Sequence, residues 1–325
     1  MTRAVRWSVL LLIPMAAVAC GGAAEPGSGG GRGFLSFGTA PPGGAFFVVG
    51  GALAEVLNAD ADENWNVTPE ATSGSQENIR RLATGELDFA VSNAAITYFA
   101  VRGTEGWDRA YAVRSIMTLA PNVTIFVTTA SSGIRTMADL KGKRVVVGPA
   151  GAGFEYFVRP LIAAHGLTYD DFTPLNATQS AAVDMLADGS AGAVLIGGAV
   201  PTASITQAAA SMNVHFVPFD DQAVEKLASD YIFFSRATIP ANTYRNQETD
   251  FLGLDAGSMH LITAADQDED LVYRVTKALY ENRAQVVQRH AAGNAINATN
   301  VVRDTGTEFH PGAIRYYREI GIWPQ

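Results

Sequence analysis

ATSGSQENIRRLATGELDFAVSNAA, residues 71–95, sets the grammar of this chain. A small polar loop leads into helical spacing over 76–84. Gly85 stops that helix, and 87–91 then reads as a strand. The same ending returns a hundred residues on. LATGELDFAV from Leu82 and LADGSAGAVL from Leu186 are each a helix end, a glycine and a strand. Working outward, 34–39 reads as a strand. Residues 43–58 read as a helix with Phe47, Leu53, Ala54 and Leu57 on one side, and 65–71 as a second strand. The order β-α-β-α-β predicts a mostly parallel sheet covered by helices.

A second unit follows the same rules: strand 144–147, glycine loop 148–153, helices 154–165 and 179–188, strand 193–196. The chain is therefore read as two related α/β lobes. The β-branched stretch 115–129 crosses between them, and Lys141-Gly142-Lys143 turns into the second lobe's first strand. A short strand at 215–219 precedes the return. Residues 271–290 carry a helical period and are placed on the first lobe or along the hinge. The expected division is 34–125 and 226–325 for the first lobe and 126–225 for the second.

The first residues read differently. Arg3 and Arg6 precede an apolar run, residues 9–19, of signal-peptide length. Ala17-Val18-Ala19-Cys20 has the form of a lipoprotein processing site, so 1–19 is read as a signal peptide and Cys20 as the lipidated residue. The alternative is an ordinary secretory signal. Cys20 is the chain's single cysteine, so no internal disulfide competes for it. Residues 20–33 are glycine-rich and read as a flexible tether. This predicts a periplasmic or extracytoplasmic protein, lipid-anchored to a membrane. The formal charge of −9 and the lack of any basic cluster argue against nucleic acid.

Candidate ligand contacts gather where strands run into helices, since open α/β sheets bind ligands beyond the carboxyl ends of their strands. Thr39, Gly43, Gly44, Phe46 and Phe47 lie in or just after the first glycine loop. Ser73-Gly74-Ser75 with Asn78 opens the helix at 76. It suits an anion through free N–H groups, or serves only as the cap. Ser92-Asn93 ends the third strand. In the second lobe the matching places hold Gly151-Ala152-Gly153-Phe154, Thr178-Gln179, Gly198 and Pro201. Each of these also reads as ordinary loop or cap chemistry.

Catalysis finds little support. The five histidines are not at metal-ligand spacing, and no G-x-S-x-G elbow occurs. Asp266, Asp268, Glu269 and Asp270 read as a solvated helix start. No catalytic residue, metal or cofactor is expected. Arg102, Arg114, Arg159 and Arg236 either reach the cleft or face water.

The chain resembles the TAXI family, the immunogenic-protein-like solute receptors of TRAP transporters, from Phe34 to Gly321. The resemblance rests on Gly38-Thr39, Gly43-Gly44 and Gly50-Gly51, then Thr72-Ser73-Gly74-Ser75-Gln76-Glu77-Asn78 and Leu82-Ala83-Thr84-Gly85-Glu86-Leu87-Asp88. Asp139-Leu140-Lys141-Gly142-Lys143-Arg144-Val145 and residues 148–153 add to it. The ending His310-Pro311-Gly312-Ala313-Ile314-Arg315-Tyr316-Tyr317-Arg318-Glu319-Ile320-Gly321 is the most specific piece. The resemblance implies a type II periplasmic-binding-protein fold, two lobes hinged around a ligand cleft. It implies a monomeric receptor for a small organic anion, a dicarboxylate, 2-oxo acid or glutamate-like amino acid, delivered to a sodium-coupled TRAP permease. Phe46-Phe47, Pro41-Pro42 and Asn93 depart from the family's pattern. They remove hydroxyl donors and leave room for a less polar acid. The alternatives are a ligand-sensing lipoprotein that signals to a membrane partner, or a secreted α/β enzyme.

Overall fold

A computed structural model describes residues 33–324. The expected signal peptide, Cys20 and all but the last residue of the expected tether lie outside the described residues. Among the described residues no helix is long and apolar enough to cross a membrane.

Two sheets divide the chain. The first has the order β2 (Trp65–Glu70), β1 (Gly33–Gly38), β3 (Phe89–Asn93), β12 (Met259–Ala264), β4 (Val113–Thr118). β1 runs parallel to β2 and β3, while β12 is antiparallel to β3 and β4. The second has the order β10 (Phe234–Ile239), β11 (Phe251–Ala256), β5 (Val123–Thr129), β8 (Ala193–Gly198), β6 (Arg144–Val146), β7 (Thr173–Leu175), with β9 (Val214–Val217) also on β5.

The two glycine-stopped endings occupy equivalent places. α2 (Ser75–Ala83) leads through Gly85 into β3, and α5 (Gln179–Ala187) leads through Gly189 into β8. Both glycines are left-handed, as a helix C-terminus favours. β3 and β8 are buried along their whole length. That is why both read as short apolar runs rather than alternating ones.

Helices cover the sheets. α1 (Ala45–Ala59) buries Val49, Leu53, Val56 and Leu57 against the first sheet. Each such side chain contributes about 1.5–3 kcal/mol of burial. α3 (Ala94–Ala100) follows β3 without a loop, and α4 (Glu155–Ala164), after β6 of the second lobe, is the counterpart of α1. α6 (Ala203–Ser211) and α7 (Asp221–Asp230) complete that lobe. The period at 271–290 is two helices, α8 (Glu269–Glu281) and α9 (Arg283–Arg289), broken at Asn282. Both lie on the first lobe. The acidic cluster before them caps α8: Asp268 accepts the Leu271 N–H at 2.7 Å, and Glu269 and Asp270 pair with Arg315. Arg315 belongs to α10 (Pro311–Glu319), which His310 caps. α10 crosses α8 so closely that a β-carbon on Gly312 would lie 2.3 Å from the Glu269 carbonyl.

One expected boundary changes. The sequence places the return to the first lobe at residue 226, but β10 and β11 pair antiparallel and extend the second sheet. The return falls after Ala256. Each of the two crossings is short, and they hydrogen-bond to each other. Ala256 N–H donates to Asn122, Met259 N–H to Ala120, and Leu119 N–H to Met259, at 2.8–3.1 Å. The buried Asp255 carboxylate accepts the Asn122 N–H at 3.0 Å and the Ser258 hydroxyl at 2.5 Å, with Arg303 at 3.7 Å. Burial pushes its pKa up to about 6.

Candidate ligand-binding site

Between the lobes lies a cavity of about 70 Å³. A single water needs roughly 10–15 Å³ on the same measure, so the space suits a small molecule. Five helices begin at its wall. Gly44, Ala45 and Phe46 open α1, Gly74 and Ser75 open α2, Asn93 and Ile96 belong to the start of α3, Phe154 precedes α4, and Thr178, Gln179 and Ser180 open α5. The first-turn N–H groups of a helix lack intrahelical partners and carry the positive end of its dipole. Asn93 and Thr178 cap α3 and α5 with their side chains, while α1, α2 and α4 have no side-chain cap. No charged residue lines the cavity. Its positive potential is therefore made by backbone.

The α2 start is built by Gly74, whose φ of 119° suits glycine. Neither Ser73 nor Ser75 is the cap. Ser73 is exposed, and its N–H donates to Glu77 at 2.8 Å. Ser75 is buried in the first turn, and its hydroxyl oxygen accepts the Asn93 N–H at 2.9 Å. Its own hydrogen remains to be donated.

Of the residues expected from sequence, Gly43, Gly44, Phe46, Gly74, Ser75, Asn93, Ala152, Phe154, Thr178 and Gln179 line the cavity. Gly153 and Gly198 lie where the lobes touch. A β-carbon on the first would meet Ile96 at 3.0 Å and on the second Ala45 at 3.3 Å. Thr39, Asn78 and Ser92 sit behind the wall. The Thr39 hydroxyl donates to Glu70, the Asn78 amide to Thr39 and Val91, and the Ser92 hydroxyl pairs with Thr97. They join the strand ends to each other. Phe47, Gly151 and Pro201 are off the cavity wall; Gly151 and Pro201 are exposed and Phe47 is half-buried on α1.

Two expected donors line the cavity but are already engaged. The Asn93 amide donates to the Ala256 and Gly257 carbonyls, and its oxygen accepts from Ala95 and Ile96. The Gln179 amide donates to Gly197 at 2.6 Å. The four arginines are elsewhere. Arg114 pairs with Glu308, Arg236 with Asp221, Arg102 donates to Tyr98 and Gly306, and Arg159 lies over Tyr169.

Sequence reasoning missed Asn122, Ile96 and Phe157, which also line the cavity. Asn122 is 4% exposed, and its carboxamide has no hydrogen-bond partner among the described residues. It lies in the first crossing, just before β5. Ile96 and Phe157 read as core residues of helices, with no signal to separate them from packing.

The lobes are in contact around the cavity. A β-carbon on Gly43 would lie 3.1 Å from the Ser180 hydroxyl, and one on Gly74 3.4 Å from the Ala152 methyl. The Gln76 amide of the first lobe donates to the Tyr156 hydroxyl of the second at 3.2 Å. The Tyr156 ring stacks on Trp107 at 5.4 Å and on Phe99 at 6.2 Å, both from the first lobe. Burial raises the Tyr156 pKa. This is a closed arrangement.

Two α/β lobes joined by paired crossings, closed on a cavity at the strand carboxyl ends, define the periplasmic-binding-protein fold. The chain belongs to the NMT1-like family, whose model matches residues 37–321. It is similar in fold to the alkanesulfonate-binding protein SsuA from Xanthomonas axonopodis pv. citri, bound to MOPS. There the TM-score is 0.52 at 16% identity, over 90% of this chain and 81% of that one. A protein from Bordetella bronchiseptica RB50 gives a TM-score of 0.54 at 12% identity, over 90% of each chain.

Proposed function

We propose that this protein is an extracytoplasmic solute-binding receptor. It captures a small organic anion between its lobes and delivers it to a membrane transporter without chemical change. The resemblance to TAXI receptors in residues 34–321 supports a sodium-coupled TRAP permease as that transporter, and the small residues of Ala17-Val18-Ala19 before Cys20 support Cys20 as the site of a lipid anchor. The observation that carries the reading is the convergence of five helix starts, three without side-chain caps, on one interlobe cavity. Such a wall stabilises negative charge without a cation. A neighbour of the same fold is described as an alkanesulfonate-binding protein, which agrees with an anionic ligand.

The test is a thermal-shift panel of organic acids on the purified protein, with mass spectrometry of the denatured protein for a co-purified acid. A ligand of the native state raises the melting temperature. The expected result is a shift with one acid, or a co-purified acid, reduced in Ser75→Ala. Neither a shift nor a co-purified small molecule overturns the reading.

A further inference from the structure

We infer that the cavity selects a singly charged organic acid with an apolar body, gripped by Ser75 from the first lobe and by the Asn122 carboxamide at the hinge. This rests on the receptor reading and narrows its ligand.

Three observations carry it. First, the lining holds neither an acidic nor a basic side chain. An amino-acid ligand would bury an ammonium group with no carboxylate to pair with, and burying an unpaired charge is strongly unfavourable. A dicarboxylate would bring two negative charges into a site whose positive potential comes only from helix ends. Second, the remaining wall is apolar: Phe46, Ile96, Phe154 and Phe157 with Pro41 and Pro42. An apolar body gains by covering them, as in most small-molecule sites. Third, two of the polar side chains on the wall are engaged elsewhere. Asn93 holds the second crossing and Gln179 holds Gly197. Ser75 keeps a free hydroxyl hydrogen, and Asn122 a free carboxamide at 4% exposure. The Asn122 carboxamide is not among the fully buried polar groups left without a partner, so it keeps access to the cavity, where a ligand's polar atoms would bond to it.

Asn122 also connects the ligand to the hinge. Its N–H is held by Asp255, and its carbonyl accepts the Ala256 N–H of the other crossing. A ligand seated on the carboxamide thus contacts the residue at which the crossings pair.

Isothermal titration of the purified protein tests the selection, with hexanoate, phenylacetate, 4-methyl-2-oxopentanoate and butanesulfonate against glutamate, succinate and 2-oxoglutarate. At least one of the first four should bind at least about tenfold tighter than any of the last three, and Asn122→Ala should weaken it by about tenfold or more. Ala at 122 removes an unpartnered group, so the unliganded melting temperature should stay near wild type. Asn122→Asp, which sets a carboxylate against the ligand, should weaken binding further. Glutamate or a dicarboxylate binding tightest, with loss in Ser75→Ala, overturns the selectivity and leaves the receptor reading standing. No binding by any acid, with no co-purified ligand, removes both. Unchanged affinity in Asn122→Ala refutes the role of that residue.

Discussion

The Asn93 N–H donates to the Ser75 hydroxyl oxygen at 2.9 Å, which ties the carboxyl end of β3 to the first turn of α2. One contact thus does two things. It fixes the uncapped start of α2 relative to the central strand, and it orients the Ser75 O–H so that its hydrogen is free for a ligand. Ser75→Ala loses both. We expect a ligand affinity loss of about tenfold and a stability loss of about 1 kcal/mol, since a buried N–H is left without a partner. Titration calorimetry and urea unfolding measure the two separately.

Tyr156 joins the lobes through the Trp107 and Phe99 rings. Tyr156→Ala should open the unliganded protein and lower its stability by about 3 kcal/mol, the usual cost of deleting a large buried ring. Small-angle scattering should show a larger radius of gyration, and Trp107 fluorescence should shift toward that of a solvated indole. An unchanged scattering curve would mean that the other lobe contacts suffice.

Asp255 gives a pH signature. Burial raises its folded pKa from 3.8 to about 6. The folded state therefore holds the proton more tightly than the unfolded chain between these values. Its contribution is fully present below pH 3.8 and is lost as pH rises through 6. Relative to Asp255→Asn, wild type should lose about 2 kcal/mol of unfolding free energy between pH 4 and 7. Paired urea titrations at several pH values measure the difference. A difference that stays flat or grows with pH contradicts the burial account.

The proposed anion site should be nearly indifferent to salt. Its positive potential comes from helix ends inside the closed cleft rather than from surface charges, and buried interactions are screened far less than exposed ones. Ligand affinity should change by less than about threefold between 20 mM and 500 mM sodium chloride. A steep decrease would point to an arginine or lysine at the site in solution.

The fold was legible because the local signals agree. Gly85 and Gly189 stop helices just before two buried strands, and α1, α4 and α5 show their apolar faces. The return crossing was hidden for the opposite reason. β11 joins the second sheet by antiparallel pairing with β5, β10 pairs with β11 in turn, and nothing in 234–256 names these partners. The site was legible as a set of loops, because helix starts after strands have recognisable chemistry. Which polar residues are free was not legible. Thr39, Asn78 and Asn93 stand in the right places but are taken up by backbone partners from distant segments, and Ser92 by the nearby Thr97 hydroxyl. Asn122, which has no such partner, lies in a crossing with no motif around it.

The uncapped helix starts have a consequence for descent. A point mutation other than to proline replaces a side chain and leaves the peptide N–H in place, so the proposed preference for acids is hard to lose by single substitutions. Phe46, Phe154, Phe157 and Asn122 carry no such protection. On the proposed reading, related proteins diverge in which acid they bind while keeping the means of holding its charge, and the record of that divergence is written in those wall residues.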